Sequence, residues 1–108
     1  MPEDKDAIIE SPGAQTLVRP DSKTKAPSLY KVIILNDDFT PREFVVHILI
    51  RFFGKSETEA TTLMLRVHHH GSGVAGVYSH EIAETKTYQV NNYSKQNQFP
   101  LKCVMEEA

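Results

Sequence analysis

Leu29-Tyr30-Lys31-Val32-Ile33-Ile34-Leu35-Asn36-Asp37-Asp38-Phe39-Thr40-Pro41-Arg42-Glu43 holds a strand, a stop and a helix start in one continuous stretch. Its first seven residues are β-branched, aromatic or long apolar side chains around a single lysine, the composition of a pleated strand. Apolar residues fall on both alternations, which predicts burial on both faces. Asn36-Asp37-Asp38 ends the run. Thr40-Pro41-Arg42-Glu43 then has the pattern of a capping box, with Thr40 as the cap, Pro41 at the first helical position and Glu43 three residues after the cap. The helix so opened carries Phe44, Val45, Ile48, Leu49 and Phe52 at helical spacing and stops at Gly54.

Downstream, Ser56-Glu57-Thr58-Glu59 repeats the capping pattern and opens a second helix through Ala60, Leu63, Met64 and Val67, ended by Gly71. Gly73 to Tyr78 reads as a short strand, Ser79 as the cap of a third helix running to about Asn97, and Leu101 to Met105 as a last strand after Pro100. The order is βααβαβ. Three strands cannot enclose a core, so the helices must cover one face of the sheet. The expected fold is α+β and two-layered, a three-stranded antiparallel sheet packed against three helices.

Upstream of Leu29 the composition changes. All nine aromatic residues lie from Tyr30 onward, while residues 1–27 hold four of the six prolines and mostly polar side chains. Such a segment cannot bury enough apolar surface to offset its ordering entropy, so 1–27 is expected to be a disordered N-terminal extension and 28–108 a single folded domain. With 12 basic and 14 acidic residues and a net charge of −2, there is no positive surplus for a phosphate backbone, which disfavours nucleic acid as a partner. The longest apolar run, Phe44 to Phe53, is broken by His47 and Arg51 and is about half the ~20 residues of a membrane helix, so no membrane association is expected. The start lacks a basic region leading into an apolar one, and the lone Cys103 cannot form an internal disulfide; together these point to a cytoplasmic protein. A domain of roughly 80 residues has a small core, too small to enclose a large cofactor, and none is expected.

Three polar features invite chemistry. His68, His69 and His70 are consecutive, and at 3.6 residues per turn their side chains diverge by about 100°, so they do not converge on one tetrahedral metal. They read instead as the frayed, solvated end of the second helix, near its negative pole. Cys103 alternates with Leu101 and Met105 on the last strand, the pattern of a small buried hydrophobe rather than a nucleophile. Asn36-Asp37-Asp38 has two readings. Asx side chains commonly tie down turns; equally, an amide carbonyl, a carboxylate and one imidazole nitrogen would supply the three acceptors that a free α-ammonium group needs.

Taken together, Asn36-Asp37-Asp38-Phe39-Thr40-Pro41, Met64-Leu65-x-Val67-His68, Gly76-Val77-Tyr78, Glu81-x-Ala83-Glu84-Thr85-Lys86 and Pro100-Leu101-x-Cys103 resemble the ClpS family, bacterial N-degron adaptors of the Clp AAA+ protease. The resemblance runs from about Tyr30 to the C-terminus, with the same element order. It implies an adaptor, not an enzyme, that grips free N-termini bearing Leu, Phe, Tyr or Trp and delivers them to a ClpA-type unfoldase, through the unfoldase's N-terminal domain, for degradation by ClpP. Carried over by position, Asn36, Asp37 and His68 are similar to the α-amine ligands, with Asp37 acting through water. Thr40, Val45, Met64, Val67 and Leu101 are similar to the pocket walls, and Asp38 to a rim residue. Glu81 and Lys86 are similar to the unfoldase contacts, and the extension to the family's delivery tail.

Spacing alone is compatible with part of this. Met64 and His68 are four apart, hence on one helix face, although Met64, Val67 and Leu101 have an ordinary core reading too. Arg42 departs from the family, which usually has Met there. A guanidinium in place of a pliable thioether predicts a stricter first-residue preference and a liking for an acidic second residue. Two competing classes remain: a hydrolase built on Cys103 and a histidine, and an interaction module like the C-terminal domain of the ribosomal stalk protein.

Overall fold

A computed structural model describes residues 28–108, and the expected extension over 1–27 lies outside the described residues. The elements are β1 (Leu29–Leu35), α1 (Arg42–Phe53), α2 (Glu57–His70), β2 (Ser72–Ser79), α3 (His80–Gln96) and β3 (Lys102–Glu107). The order is βααβαβ and the class α+β, as the sequence predicts. Within the described residues the sheet has the order β2-β1-β3, with β1 antiparallel to both neighbours. The most apolar strand is thus the central one.

Burial corrects one expectation. Val32 and Ile34 are fully buried, whereas Lys31, Ile33 and Leu35 on the opposite alternation are only half-buried. All three helices lie on the Val32/Ile34 side, so a single face of β1 is sealed. The core under the helices is filled by Ile48 and Leu49 of α1, Ala60 and Val67 of α2, Ala83 and Val90 of α3, and Cys103. Gly73 is needed where α2 crosses β2: a Cβ there would stand 2.9 Å from Val67 Cγ2 and 3.0 Å from Leu63 Cδ1, closer than packed carbons tolerate.

The helix ends divide into those that follow the expected capping and those that do not. Ser56 and Glu59 form the reciprocal capping box that opens α2, each side chain taking the other's backbone N–H (3.1 and 3.0 Å). The box expected at Thr40 does not form. Pro41 is the cap residue and α1 has no side-chain cap, because the Thr40 hydroxyl is turned away and donates to Asp37 Oδ2 at 2.7 Å. Ser79 stands at the cap position of α3 but makes no side-chain cap bond either. The end of α2 is closed rather than frayed. Gly71, at φ 92°, takes the left-handed conformation and its N–H bonds the Val67 carbonyl, a common helix stop.

Cys103 is 1% exposed, and burial pushes its thiol up to about 11. Reactivity belongs to the thiolate, so native protein at pH 8 should resist iodoacetamide and label only on unfolding, as read by mass spectrometry. The unfolded thiol gives up its proton near its ordinary value of about 8.5. Stability is therefore complete below that pH and falls as pH rises from there toward 11, because over this range the unfolded state binds fewer protons. A urea series across those pH values checks the sign.

Candidate functional site

The loop between β1 and α1 is held from both sides. Asp37 Oδ1 accepts from the backbone N–H groups of Phe39 and Thr40, both at 2.8 Å, while Oδ2 takes the Thr40 hydroxyl. The Asx-turn reading of Asp37 is therefore realised: a single carboxylate fixes the path of residues 37–40. On the other side the Asn36 N–H donates to the Gly71 carbonyl at 2.9 Å. That bond pins the start of the loop to the end of α2, one turn from His68. Residues 32 apart in sequence thereby share one mouth.

Below this mouth lies a cavity of about 260 Å³. Ligand sites for drug-sized molecules run from about 300 to 1,000 Å³, so this one has room for a single side chain. Asn36, Asp37, Asp38 and Thr40 line it from the loop, and Arg42 and Val45 from α1. Met64, Val67 and His68 come from α2, and Leu101 from the approach to β3. Every residue assigned to the amine site, the pocket or its rim is thus on one cavity. Val45, Met64, Val67 and Leu101 also belong to the buried core, so the inner wall of the cavity is the outer wall of the core.

Two lining residues escape sequence reasoning, Leu35 and Pro41. Their only signal is adjacency to the acidic loop. A larger hollow, about 820 Å³, runs between α2 and β2 and is edged by Lys31, Lys55, Glu59, Arg66, His70 and Glu106. It is a surface groove with charges of both signs beside Ile33, Leu63 and Val74, and it lacks the acidic loop that gathers acceptors at the smaller cavity.

Electrostatics at the mouth combine two helix ends. The N-terminus of α1 carries positive partial charge, which the carboxylates of Asp37 and Asp38 offset. The carbonyl end of α2 arrives beside Asn36 with negative partial charge and favours a cation there. His68 Nε2 lies 2.8 Å from Arg42 Nη2. Among the described residues no group of three His, Cys, Asp or Glu side chains comes together as a metal-ligand set, and none of the described helices is long and apolar enough to cross a membrane.

The remaining assigned residues lie elsewhere. Glu81 is exposed in the first turn of α3. Lys86 is half-buried and its Nζ donates to the Phe52 carbonyl at 2.7 Å, lying 5.8 Å from the Phe53 ring centre and 5.4 Å from that of Tyr78. Its ammonium thus satisfies a carbonyl at the end of α1, a local task the spacing does not disclose.

Residues 25–104 match the family model for the ATP-dependent Clp protease adaptor protein ClpS. The chain belongs to the ClpS family. It is 56% identical over 97 residues to ATP-dependent Clp protease adapter protein ClpS 1 of Rhizobium meliloti, covering 90% of this chain and 83% of that protein. It is 53% identical over 108 residues to ClpS of Parvibaculum lavamentivorans, covering 98% of each. Among solved structures it resembles Agrobacterium tumefaciens ClpS2 bound to L-phenylalaninamide, with a TM-score of 0.75 and 42% identity over 77% of this chain and 100% of that one. Membership in this family of Clp protease adapters replaces the hydrolase and stalk-module readings, and the buried, raised thiol of Cys103 is itself a poor nucleophile.

Proposed function

We propose that this ClpS-family adapter captures proteins by a free N-terminus bearing Leu, Phe, Tyr or Trp and hands them to a ClpA-type AAA+ unfoldase for degradation by ClpP in the cytoplasm. The observation that carries the reading is the 260 Å³ cavity with an apolar floor of Val45, Met64, Val67 and Leu101 and a mouth of grouped acceptors. L-phenylalaninamide, bound by the similar ClpS2, is chemically a free α-amine on a bulky apolar residue whose carboxyl end is an amide.

Identity and position are read separately. Burying a Leu or Phe side chain contributes about 1.5–3 kcal/mol, and each charge-assisted hydrogen bond at the ammonium about the same. The Asn36 carbonyl and a neutral His68 accept from the amine. Asp37 spends most of its carboxylate on the loop, and its remaining lone pair on Oδ2 reaches the amine through water. Thr40 forms part of the pocket wall and Asp38 shapes the rim. Recognition makes no covalent bond, and no cofactor takes part.

Glu81 is the exposed partner of the pair assigned to the unfoldase's N-terminal domain, with Lys86 holding the adjoining helix end. Residues 1–27 supply the delivery segment. The deciding experiment titrates a fluorescent Phe-initiated peptide beside its N-acetyl twin. Acetylation removes the charge and two of the three donors, so the twin should bind at least about 100-fold more weakly. Equal affinities would overturn the reading.

A further inference from the structure

Arg42 and His68 are 26 residues apart and meet across the mouth of the cavity, with Nη2 and Nε2 separated by 2.8 Å. Both side chains are exposed, and both line the cavity. The protonation pattern of this contact follows from donor counting. A guanidinium has five N–H donors and no acceptor, so His68 Nε2 must be the acceptor and the ring proton must sit on Nδ1. A neutral imidazole has a single in-plane lone pair to offer. While Arg42 holds it, His68 has none left for an incoming ammonium.

We propose that Arg42 is a built-in occupant of the substrate's amine site: its guanidinium holds the His68 lone pair in the free protein and must leave before a peptide's α-ammonium can donate there. The inference rests on the reading of this cavity as an N-terminal amine site. Binding then becomes an exchange of one cationic donor for another at the same nitrogen, rather than a simple addition. Arg42 is suited to the part. It stands at the first residue of α1, its side chain is exposed, and a guanidinium is always protonated, so it meets the ring only as a donor and has further N–H groups that water can take up when it leaves.

The exchange has a defined effect on selectivity. Its cost is the same for every ligand, so the ratio of affinities between two first residues is unchanged while both fall. At a given concentration only the strongest apolar anchors then remain bound. This gives the narrowed first-residue range expected from Arg42 a mechanism without requiring Arg42 to touch the first side chain at all.

The test titrates one Phe-Ala-initiated peptide and its N-acetyl twin against wild type, Arg42→Met and Arg42→Ala. Arg42 is exposed and outside the core, so both variants fold. The free-amine peptide should bind both variants about tenfold more tightly than wild type, with the acetylated twin weak and unchanged throughout. Long-range ¹⁵N–¹H spectra of the imidazoles supply a readout that a change in packing would not move. In free wild type His68 should show an acceptor Nε2 and a protonated Nδ1, and added peptide should leave that tautomer in place while shifting the Arg42 Nη signals. In Arg42→Met the tautomer should relax and be restored by peptide.

Equal affinity across the three proteins would overturn the proposal. So would weaker binding by both variants, which would make Arg42 a direct substrate contact. A gain in Arg42→Met alone would credit methionine's own contacts and overturn it as well. Arg42 Nη signals unmoved by saturating peptide would show that the two cations do not compete. Equal binding of free and acetylated peptide to wild type is a separate outcome, and it removes the underlying reading of the cavity instead.

Discussion

Asp37→Ala should lose peptide binding by about 100-fold or more while the domain stays folded. The carboxylate accepts from Phe39 N–H, Thr40 N–H and the Thr40 hydroxyl, and these bonds are what hold the loop across the cavity mouth. Phe39 is 80% exposed, so water can take over the released donors, and the loss in stability should be only about 1–2 kcal/mol. The binding loss is larger because Asn36 then samples many arrangements, few of which present its carbonyl to the amine beside His68, and the water-bridging carboxylate is lost as well. Asp37→Asn separates the two contributions. Its amide oxygen can accept both backbone N–H groups and keep the turn, while the negative charge and the charged acceptor of the Thr40 hydroxyl are gone; it should lose less stability than Asp37→Ala and bind about tenfold more weakly than wild type. Urea melts and peptide titrations on the two variants measure this, and wild-type affinity in Asp37→Ala would refute it.

The second large effect concerns Asn91, which sequence reading passes over as a polar helix residue. From α3 its side chain reaches the free edge of β3, accepting from the Cys103 N–H at 2.8 Å and donating to the Cys103 carbonyl at 3.1 Å. A side-chain amide thereby stands in for the strand that β3 lacks on its outer side. Asn91→Leu leaves a partly buried N–H and C=O without partners, at a cost of about 2–4 kcal/mol, and for a domain of this size a fall in Tm of roughly 10–20 °C. Asn91→Asp can still accept from the N–H but confronts the carbonyl with a second oxygen, so it should be destabilised too. Leu101, two residues before Cys103, forms one wall of the cavity. Peptide affinity should therefore drop in Asn91→Leu even well below its melting temperature. An unchanged denaturation midpoint in Asn91→Leu would show that this bridge carries no stability.

These two residues illustrate different relations between chain and fold. Asp37 sits in a local turn whose partners are two and three residues away, and such contacts are visible in the order of residues. Asn91 acts on a strand 12 residues on, and nothing near it in the chain announces the partner. The same division runs through the pocket. Met64, Val67 and His68 could be placed on one helix from spacing, and a boundary such as Gly71 from its capping chemistry. The joining of that helix to Asn36 depends on a backbone bond between distant segments.

The element order, the helix stops at Gly54 and Gly71, the Ser56 cap and the burial of Cys103 were all legible in the residues, because each rests on periodicity or on bonds closed within a turn or two of chain. The ten residues assigned to the cavity and its rim were named through likeness to the ClpS family, and their convergence on one hollow belongs to the fold. Only tertiary contact decided that a single face of β1 is sealed. The same holds for Lys86, which bonds the Phe52 carbonyl, and for Arg42, which occupies His68. For Lys86 and Arg42 a polar group had several partners within reach of its type, and the choice among them was made by which segments packing brought within 3 Å.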